Sequence, residues 1–118
     1  MTLPLDHHRI VAYRNPDAVQ LSSLDWAVHL GREDREARVA ALEMNHILAV
    51  TRAVDAGFGI GALPDYITRG RPNIVRVLPQ YEGPKFEAFF VYPSDLKRSR
   101  RIVAFRQFLV DQARDWTD

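Results

Sequence analysis

Cysteine is absent from the 118-residue chain, which excludes disulfides, thiolate metal sites and a thiol nucleophile. Long apolar runs are also missing, since a membrane span needs about 20 consecutive apolar residues. The first residues, MTLPLDHHR, lack the apolar core of a secretory signal. Charge of one sign is not in excess, because 16 basic side chains oppose 15 acidic ones. These absences predict a cytoplasmic chain without membrane contacts and without a general electrostatic attraction to nucleic acid.

Signatures of catalysis and of cofactor binding are missing as well. None of the four histidines has the His-Glu-x-x-His spacing of a zinc site, and no Gly-x-Ser-x-Gly turn occurs. The glycine-rich segment 57–61 follows a predicted helix and precedes a predicted strand. A dinucleotide site needs the order strand, glycine turn and helix instead. The sequence therefore predicts no enzyme, no bound metal and no cofactor.

The most informative stretch is residues 44–64, MNHILAVTRAVDAGFGIGALP. Asn45 is suited to cap a helix because its side chain accepts hydrogen bonds from a first helical turn. The apolar positions that follow at helical spacing are Ile47, Val50 and Val54. Gly57 is predicted to end the helix in the left-handed conformation, and residues 58–63 are predicted to form a strand. The stretch is thus expected to fold as helix, tight turn and strand.

Further strands and helices are predicted from periodicity and composition. The predicted strands are residues 9–13, 74–78 and 86–92, of which the last is the strongest in aromatic and β-branched content. A short helix is predicted at 65–67, and a final helix is predicted to begin after a Ser99 cap. The apolar stripe of this final helix consists of Ile102, Phe105, Leu109, Ala113 and Trp116.

Two charged segments and one tryptophan have a structural and a functional interpretation. The run 31–38, GREDREAR, alternates in sign, which favours a solvated loop over a binding patch. The cluster 97–101, KRSRR, is interpreted as solvated charge at the start of the last helix rather than as a phosphate site. Trp26 is interpreted as a core residue beside the main core rather than as a ligand-stacking ring.

The motifs of residues 44–64 resemble the effector-binding domain of LysR-type transcriptional regulators. In that family an Asn opens a helix, Ala-Val-x-x-Gly follows, and a Gly-Ile-x-x-Leu-Pro strand comes next. The matching residues here are Asn45, Ala53, Val54, Gly57, Gly59, Ile60, Leu63 and Pro64. Three later segments are also similar to the family: IVRVLP at 74–79, FVYP at 90–93 and RIVAFRQFL at 101–109. The four motifs occur in the family's order, and the likeness extends over nearly the whole chain.

The resemblance implies an α/β fold of the periplasmic-binding-protein type 2 class, in an incomplete form. Residues 1–92 would be most of the second lobe of the effector domain, and residues 93–118 the segment that returns to the first lobe. The family also places a strand at 39–44, although helix propensity alone would allow one helix over 33–56. We therefore expect the strand.

The implied function is sensing of a small-molecule effector by a transcriptional regulator. The DNA-binding winged helix-turn-helix of the family is not found in these residues, so DNA would be contacted only through an absent domain. The resemblance further implies a homo-oligomer and an anionic effector. Two alternatives remain open at this stage: a solute-binding protein of the same fold, and a truncated fragment without independent function.

The resemblance places the effector cleft between the end of the first predicted strand and the start of the central helix. The candidate effector contacts are Tyr13, Arg14, Asn15, Asn45, His46 and Ile47. The backbone N–H groups of Asn45, His46 and Ile47 would bind an anion, Arg14 would supply charge and Tyr13 a hydroxyl. The alternative is plain capping by Asn45, with an ordinary strand and surface turn near Tyr13.

Overall fold

A computed structural model describes residues 4–17, 19–85 and 87–116 of the chain. The chain divides into two compact units, Met1–Pro84 and Lys85–Asp118. Among the described residues, the first unit contains a small parallel sheet with helices, and the second contains one α-helix, two short 3₁₀ helices and irregular segments.

Three short strands form the sheet of the first unit. The strands are β1 (Ile10–Tyr13), β2 (Leu42–Met44) and β3 (Ile60–Gly61). The α-helices of this unit are α1 (Ile47–Asp55) and α2 (Asp65–Thr68), and its 3₁₀ helices are Pro4–His7 and Val19–Val28. The sheet order is β2-β1-β3, with both pairs parallel. The fold is therefore α/β with a three-stranded parallel sheet, which agrees with the α/β part of the fold-class prediction.

Strand β1 lies at the centre of the core because both of its faces are covered. Ile10 and Ala12 belong to the apolar cluster that includes the end of the second 3₁₀ helix. Val11 and Tyr13 pack instead with Val50 of α1. All four residues of β1 are buried, which is the pattern of a parallel strand between two layers. The strand predicted at 9–13 is confirmed.

The turn between α1 and β3 has the geometry that its glycine predicts. Gly57 has a φ of 81°, in the left-handed region. Its N–H donates to the oxygen of Val54 at 2.9 Å, and the N–H of Phe58 donates to the oxygen of Ala53 at 3.0 Å. These two bonds form a Schellman motif, which satisfies carbonyl groups at the end of α1. The predicted left-handed helix end is confirmed.

Two other predicted strands form over fewer residues than expected. Strand β2 covers half of the segment predicted at 39–44, and β3 covers two residues of the segment predicted at 58–63. Both pair only with β1, which is four residues long. Their length is limited by this partner, because a strand ends where its ladder hydrogen bonds end. The short helix predicted at 65–67 is confirmed as α2.

The strands predicted at 74–78 and 86–92 are wrong, because the described residues of both segments form no ladder. In the second of them, the side chains of Phe89 and Val91 are 77% and 84% exposed. Phe86 lies outside the described residues. Aromatic and β-branched content favours a strand only where a neighbouring strand and an apolar layer are present to receive it.

Helix α3 (Arg100–Ala113) dominates the second unit, between the 3₁₀ helices Ser94–Leu96 and Arg114–Trp116. Ser99 is its N-cap residue, as predicted, although its side chain makes no capping hydrogen bond. None of the residues of α3 is buried. Phe90 lies 5.5 Å from the ring of Phe105, edge to face.

The predicted apolar stripe of α3 is only partly covered. Ile102, Leu109 and Ala113 are half-buried, whereas Phe105 is 51% exposed. The side chain of Trp116 lies outside the described residues. The helix prediction is confirmed, but the stripe is not a core in this chain.

The charged run that contains Arg32 and Arg38 is not a solvated loop throughout, and that prediction is wrong for these two side chains. Arg38 is 4% exposed in its side chain, and its Nε donates to Asp6 Oδ1 at 2.7 Å. Arg32 Nη2 donates to the same oxygen at 2.9 Å. Arg38 Nη1 also donates to the backbone oxygens of Ala27 and Leu30. Sign alternation describes neighbours in sequence, whereas this carboxylate comes from a distant segment.

The two arginines stabilise the ionised form of Asp6. The hydrogen bond from Arg32, followed by that from Arg38, lowers the pKa of Asp6 from 3.8 to about 2. Burial acts in the opposite direction. The Asp6–Arg32–Arg38 cluster therefore ties the first 3₁₀ helix to the loop after the second one.

Trp26 has the structural role that the sequence favours. It is half-buried, and a Cβ on Gly83 would lie 2.8 Å from the indole ring. The indole thus packs directly on the backbone of Gly83, which leaves no room for a side chain there.

Candidate functional site

The carboxyl ends of β1 and β2 bring several of the predicted site residues together. The parallel register aligns Tyr13 with Met44. The N–H of Arg14 donates to the oxygen of Met44 at 2.8 Å, so Arg14 lies beside the chain that continues through Asn45 and His46. Ligands of open parallel sheets bind outside the carboxyl ends of the strands, which makes this edge the candidate site.

His46, and not Asn45, caps helix α1. His46 has extended backbone angles, φ −137° and ψ 127°, and its Nδ1 accepts from the N–H of Leu48 at 3.2 Å. Its backbone oxygen accepts from Ala49 at 3.0 Å and from Val50 at 3.2 Å. The predicted cap at Asn45 is wrong by one residue, because the chain bends at both Asn45 and His46 after leaving β2. Asn45 is exposed in front of the helix.

This cap changes which backbone groups face the candidate site. Ile47 is the first residue of α1, and a first-turn N–H has no acceptor within its own helix. The N–H of Leu48 is already bonded to His46. The side chain of Ile47 packs against the cluster of Val11, Tyr13 and Val50, so Ile47 can contribute to a site only through its backbone.

Tyr13 and Asn15 differ in what they offer to a ligand. Tyr13 is 6% exposed and belongs to the core through its ring. Asn15 Oδ1 accepts from the N–H of Asp17 at 3.1 Å, which closes a turn of the Asx type after β1. Asn15 therefore shapes the backbone at this edge.

Arg14 is paired with a carboxylate that the sequence interpretation missed. Its Nη1 lies 3.3 Å from Oε1 and 3.5 Å from Oε2 of Glu43, and the two side chains are 67% and 48% exposed. Glu43 is aligned with Ala12 in the parallel ladder. Strand alternation places Arg14 on the same face as Ala12, so the register alone would have indicated the pair.

Asp25 is a second missed carboxylate near this edge. Burial raises the pKa of Asp25 above 3.8, and the negative charge of Glu43 adds to the increase. His29 and Arg14 oppose it through their charges. Asp25 lies at a kink in the second 3₁₀ helix. No sequence signal would have identified this residue.

The chemical groups at this edge are of the kinds that hydrogen-bond to anions and to polar ligands. They include a guanidinium, the first N–H of α1 and exposed amide and imidazole groups from Asn45 and His46. In the described part of the chain, no three His, Asp or Glu side chains are grouped to bind a metal. None of the described helices has the length and apolar composition of a membrane span.

A separate depression of about 560 Å³ lies between the end of α1 and the segment after α2. Its lining includes Tyr66 and Asn73, together with Asp55 and Arg71, whose charged groups are 3.4 Å apart. This depression is open to solvent and contains none of the predicted site residues.

Comparison with known proteins provides the family. Residues 4–114 match a family model described as the LysR substrate binding domain. No curated protein and no solved structure matches the chain significantly. The match covers nearly the whole chain and fits the parallel α/β sheet. The chain therefore belongs to the LysR substrate-binding domain family.

Proposed function

We propose that this chain is the effector-sensing module of a LysR-type transcriptional regulator, working without a cofactor and without catalysis. The observation that carries the proposal is the family match over residues 4–114. Domains of this family bind small-molecule effectors. The same match favours a regulator over a solute-binding protein of similar fold. DNA recognition would belong to a different domain, and the regulator would act in the cytoplasm.

The proposed lobes follow the family's division of the domain. Residues 1–92 are assigned to the second lobe and residues 93–118 to the segment that returns to the first lobe. Effector binding would bias two packings of the regulator and so change how its DNA-binding domains are presented.

A homo-oligomer is part of the proposal, because such a regulator transmits a signal through the packing of its subunits. The apolar exposure of α3 supports it. The exposed apolar residues of this helix are Val103, Phe105, Phe108 and Val110.

The effector is proposed to be an anion bound at the carboxyl edge of the sheet. The residues of the proposed site are Tyr13, Arg14, Asn15, Asn45, His46 and Ile47. Arg14 would supply positive charge, and the N–H of Ile47 would donate to the anion at the positive end of the α1 dipole. Asn45 is exposed in front of the helix and would add a side-chain hydrogen bond. Tyr13 and Asn15 would act by holding the end of β1.

The site can be tested by isothermal calorimetry of the chain against small mono- and dicarboxylates and phosphorylated metabolites. For any compound that binds, the affinity is then measured for the variants Arg14→Ala and Asn45→Ala. A matched control is Arg98→Ala, which removes the same charge from an exposed position before α3. We expect Arg14→Ala to weaken binding about tenfold or more, because a charged hydrogen bond is lost. Arg98→Ala should leave the affinity unchanged.

Equal affinity in wild type, Arg14→Ala and Asn45→Ala, with an unchanged ¹H–¹⁵N amide NMR spectrum, would show that the effector binds elsewhere than at this edge. Binding that is weakened equally by Arg14→Ala and Arg98→Ala would also contradict the site. In that case net charge, and not contact with Arg14, would govern affinity.

A further inference from the structure

Arg14, the cation on which the proposed effector site depends, is already held by a carboxylate of the chain itself. Its Nη1 contacts both oxygens of Glu43, at 3.3 and 3.5 Å. An anion that binds Arg14 must therefore compete with Glu43. This competition rests on the proposed function, because it has no consequence unless an anion binds at the edge.

The sheet keeps the two side chains within reach of each other. Glu43 lies in β2 and is aligned with Ala12 of β1, while the N–H of Arg14 is bonded to Met44 at 2.8 Å. Ladder hydrogen bonds thus hold both backbones one strand apart. A carboxylate tethered in this way has a high effective concentration at the guanidinium, so free anions face a standing competitor.

A ligand anion can nevertheless displace Glu43 from Arg14. The side chain of Arg14 is 67% exposed and that of Glu43 is 48% exposed, so water and salt screen their attraction. Exposed ion pairs of this kind contribute little to stability. Glu43 contacts the guanidinium only through Nη1. A ligand that binds two nitrogens of the planar guanidinium with two oxygens makes a stronger contact.

A second carboxylate adds to the negative potential at this edge. Asp25 is close enough to Glu43 and Arg14 for their charges to act on it: Glu43 raises the pKa of Asp25, whereas His29 and Arg14 lower it. Before a ligand binds, Arg14 therefore shares its surroundings with two acidic side chains. A weakly held anion gains little there, because it must approach both of them.

We propose that Glu43 is an internal competitor, a carboxylate that occupies Arg14 until an effector anion displaces it. Glu43 lowers the affinity of the edge for all anions. Because the cost of displacing Glu43 is the same for every anion, it sets a threshold of affinity. Carboxylates or phosphates that present two oxygens to the guanidinium pass this threshold most readily, since they make the stronger contact with Arg14. The displaced carboxylate is returned to solvent, to which it is already half exposed.

The competition can be measured with acetate as the probe, in the complete chain at constant ionic strength with chloride as the exchanged salt. The readout is the Nε–Hε resonance of Arg14 in a ¹⁵N-labelled sample, assigned from its disappearance in Arg14→Lys. Glu43→Gln removes the competing charge while keeping the shape of the side chain. We expect the apparent Kd for acetate at Arg14 to fall about two- to fivefold in this variant, which corresponds to the strength of an exposed pair.

The matched control is Glu82→Gln, which changes net charge by the same amount at an exposed loop position. Among the described residues, the carboxylate that Arg14 contacts is that of Glu43 and not that of Glu82. A lower Kd in Glu43→Gln, together with a Kd in Glu82→Gln equal to that of wild type, supports direct competition, whereas an equal fall in both variants overturns it. Equal Kd values for wild type and Glu43→Gln overturn the competition while leaving the anion site intact. Absence of any acetate-dependent shift of Arg14 in all variants overturns the anion site and the competitor together.

Discussion

The two units of the chain differ in how well their apolar side chains are covered. In the first unit, β1 is buried on both faces, and Val11 is 1% exposed. In the second unit none of the described residues is buried, and Val103 of α3 is 53% exposed. Both units have strong apolar patterning in sequence. The difference shows that, in this chain, apolar patterning becomes a core where parallel strands and a covering helix lie within the same unit.

The largest expected effect follows directly from this comparison. Val11→Ala should lower the free energy of unfolding by about 2.5 kcal/mol, because apolar area is lost and a cavity remains. Val103→Ala removes the same atoms from an exposed helical position. It should change stability by less than about 0.5 kcal/mol, since alanine also has the higher helix propensity. Urea denaturation followed by circular dichroism measures both. Similar losses would mean that the second unit has a core of its own.

The next effect sharpens the comparison within the first unit, between a buried and an exposed arginine. Arg38→Met should destabilise by about 2 kcal/mol, because it leaves Asp6 with one partner and removes bonds to two backbone oxygens. Arg35 is the control, with a side chain 44% exposed and 3.9 Å from Asp34. Arg35→Met should stay within about 0.5 kcal/mol of wild type. Equal losses in urea denaturation would argue that burial of Arg38 is irrelevant.

The same cluster gives the chain a dependence on acid. The pKa of Asp6 is lowered from 3.8 to about 2 in the folded state, so its ionised form favours folding. This contribution is complete above pH 3.8 and is lost as pH falls towards 2. The difference in unfolding free energy between wild type and Asp6→Asn should therefore shrink over that window. A difference that is constant from pH 5 to pH 2 would contradict the ion-pair assignment.

A smaller effect is expected at the turn that closes α1. Gly57→Ala should cost about 1 kcal/mol, because the left-handed conformation crowds a Cβ. Gly57→Asn should cost less, since asparagine tolerates that region. Apart from Gly57 and its two neighbours in the chain, no heavy atom of the described residues lies within 4 Å of an added Cβ, so the loss would come from the local backbone alone. Thermal unfolding of the two variants compares them, and equal losses would mean that the backbone rearranges at this turn.

The smallest expected effect concerns the helix start at the candidate site. His46→Ala should destabilise by about 0.5 kcal/mol, because the Leu48 N–H loses its acceptor. His46→Asn should restore most of the loss by offering a side-chain oxygen. Asn45→Ala should have no comparable effect, since Asn45 lies outside the cap. A larger loss in Asn45→Ala than in His46→Ala, measured by urea denaturation, would reverse the assignment.

Local patterns in the sequence were sufficient for the central part of the fold. Gly57 ends α1 as predicted, because its conformation and its two neighbouring hydrogen bonds depend on residues within one turn. The β-branched and aromatic content of residues 9–13 predicts strand β1, and the motifs at 44–64 and further along indicate the family. The arrangement of Arg14 beside the start of α1 also followed from that resemblance.

The remaining features depend on partners that are distant in sequence. The segments 74–78 and 86–92 have strand-like composition but no ladder partner in the described residues. The N-cap residue of α1 is His46 and not the predicted Asn45, because the chain bends at both residues as it leaves β2.

The sequence by itself determined the class of the domain, the order of its central elements and the position of its left-handed turn. These are properties of neighbouring residues and of motifs in a fixed order. Only the tertiary structure decided that Arg38 is buried against Asp6 and that Arg14 is paired with Glu43. The partners in these pairs lie 32 and 29 residues apart, and they meet only when segments far apart in the chain fold together. Which charge faces which therefore depends on packing and strand register, and no local pattern contains that information.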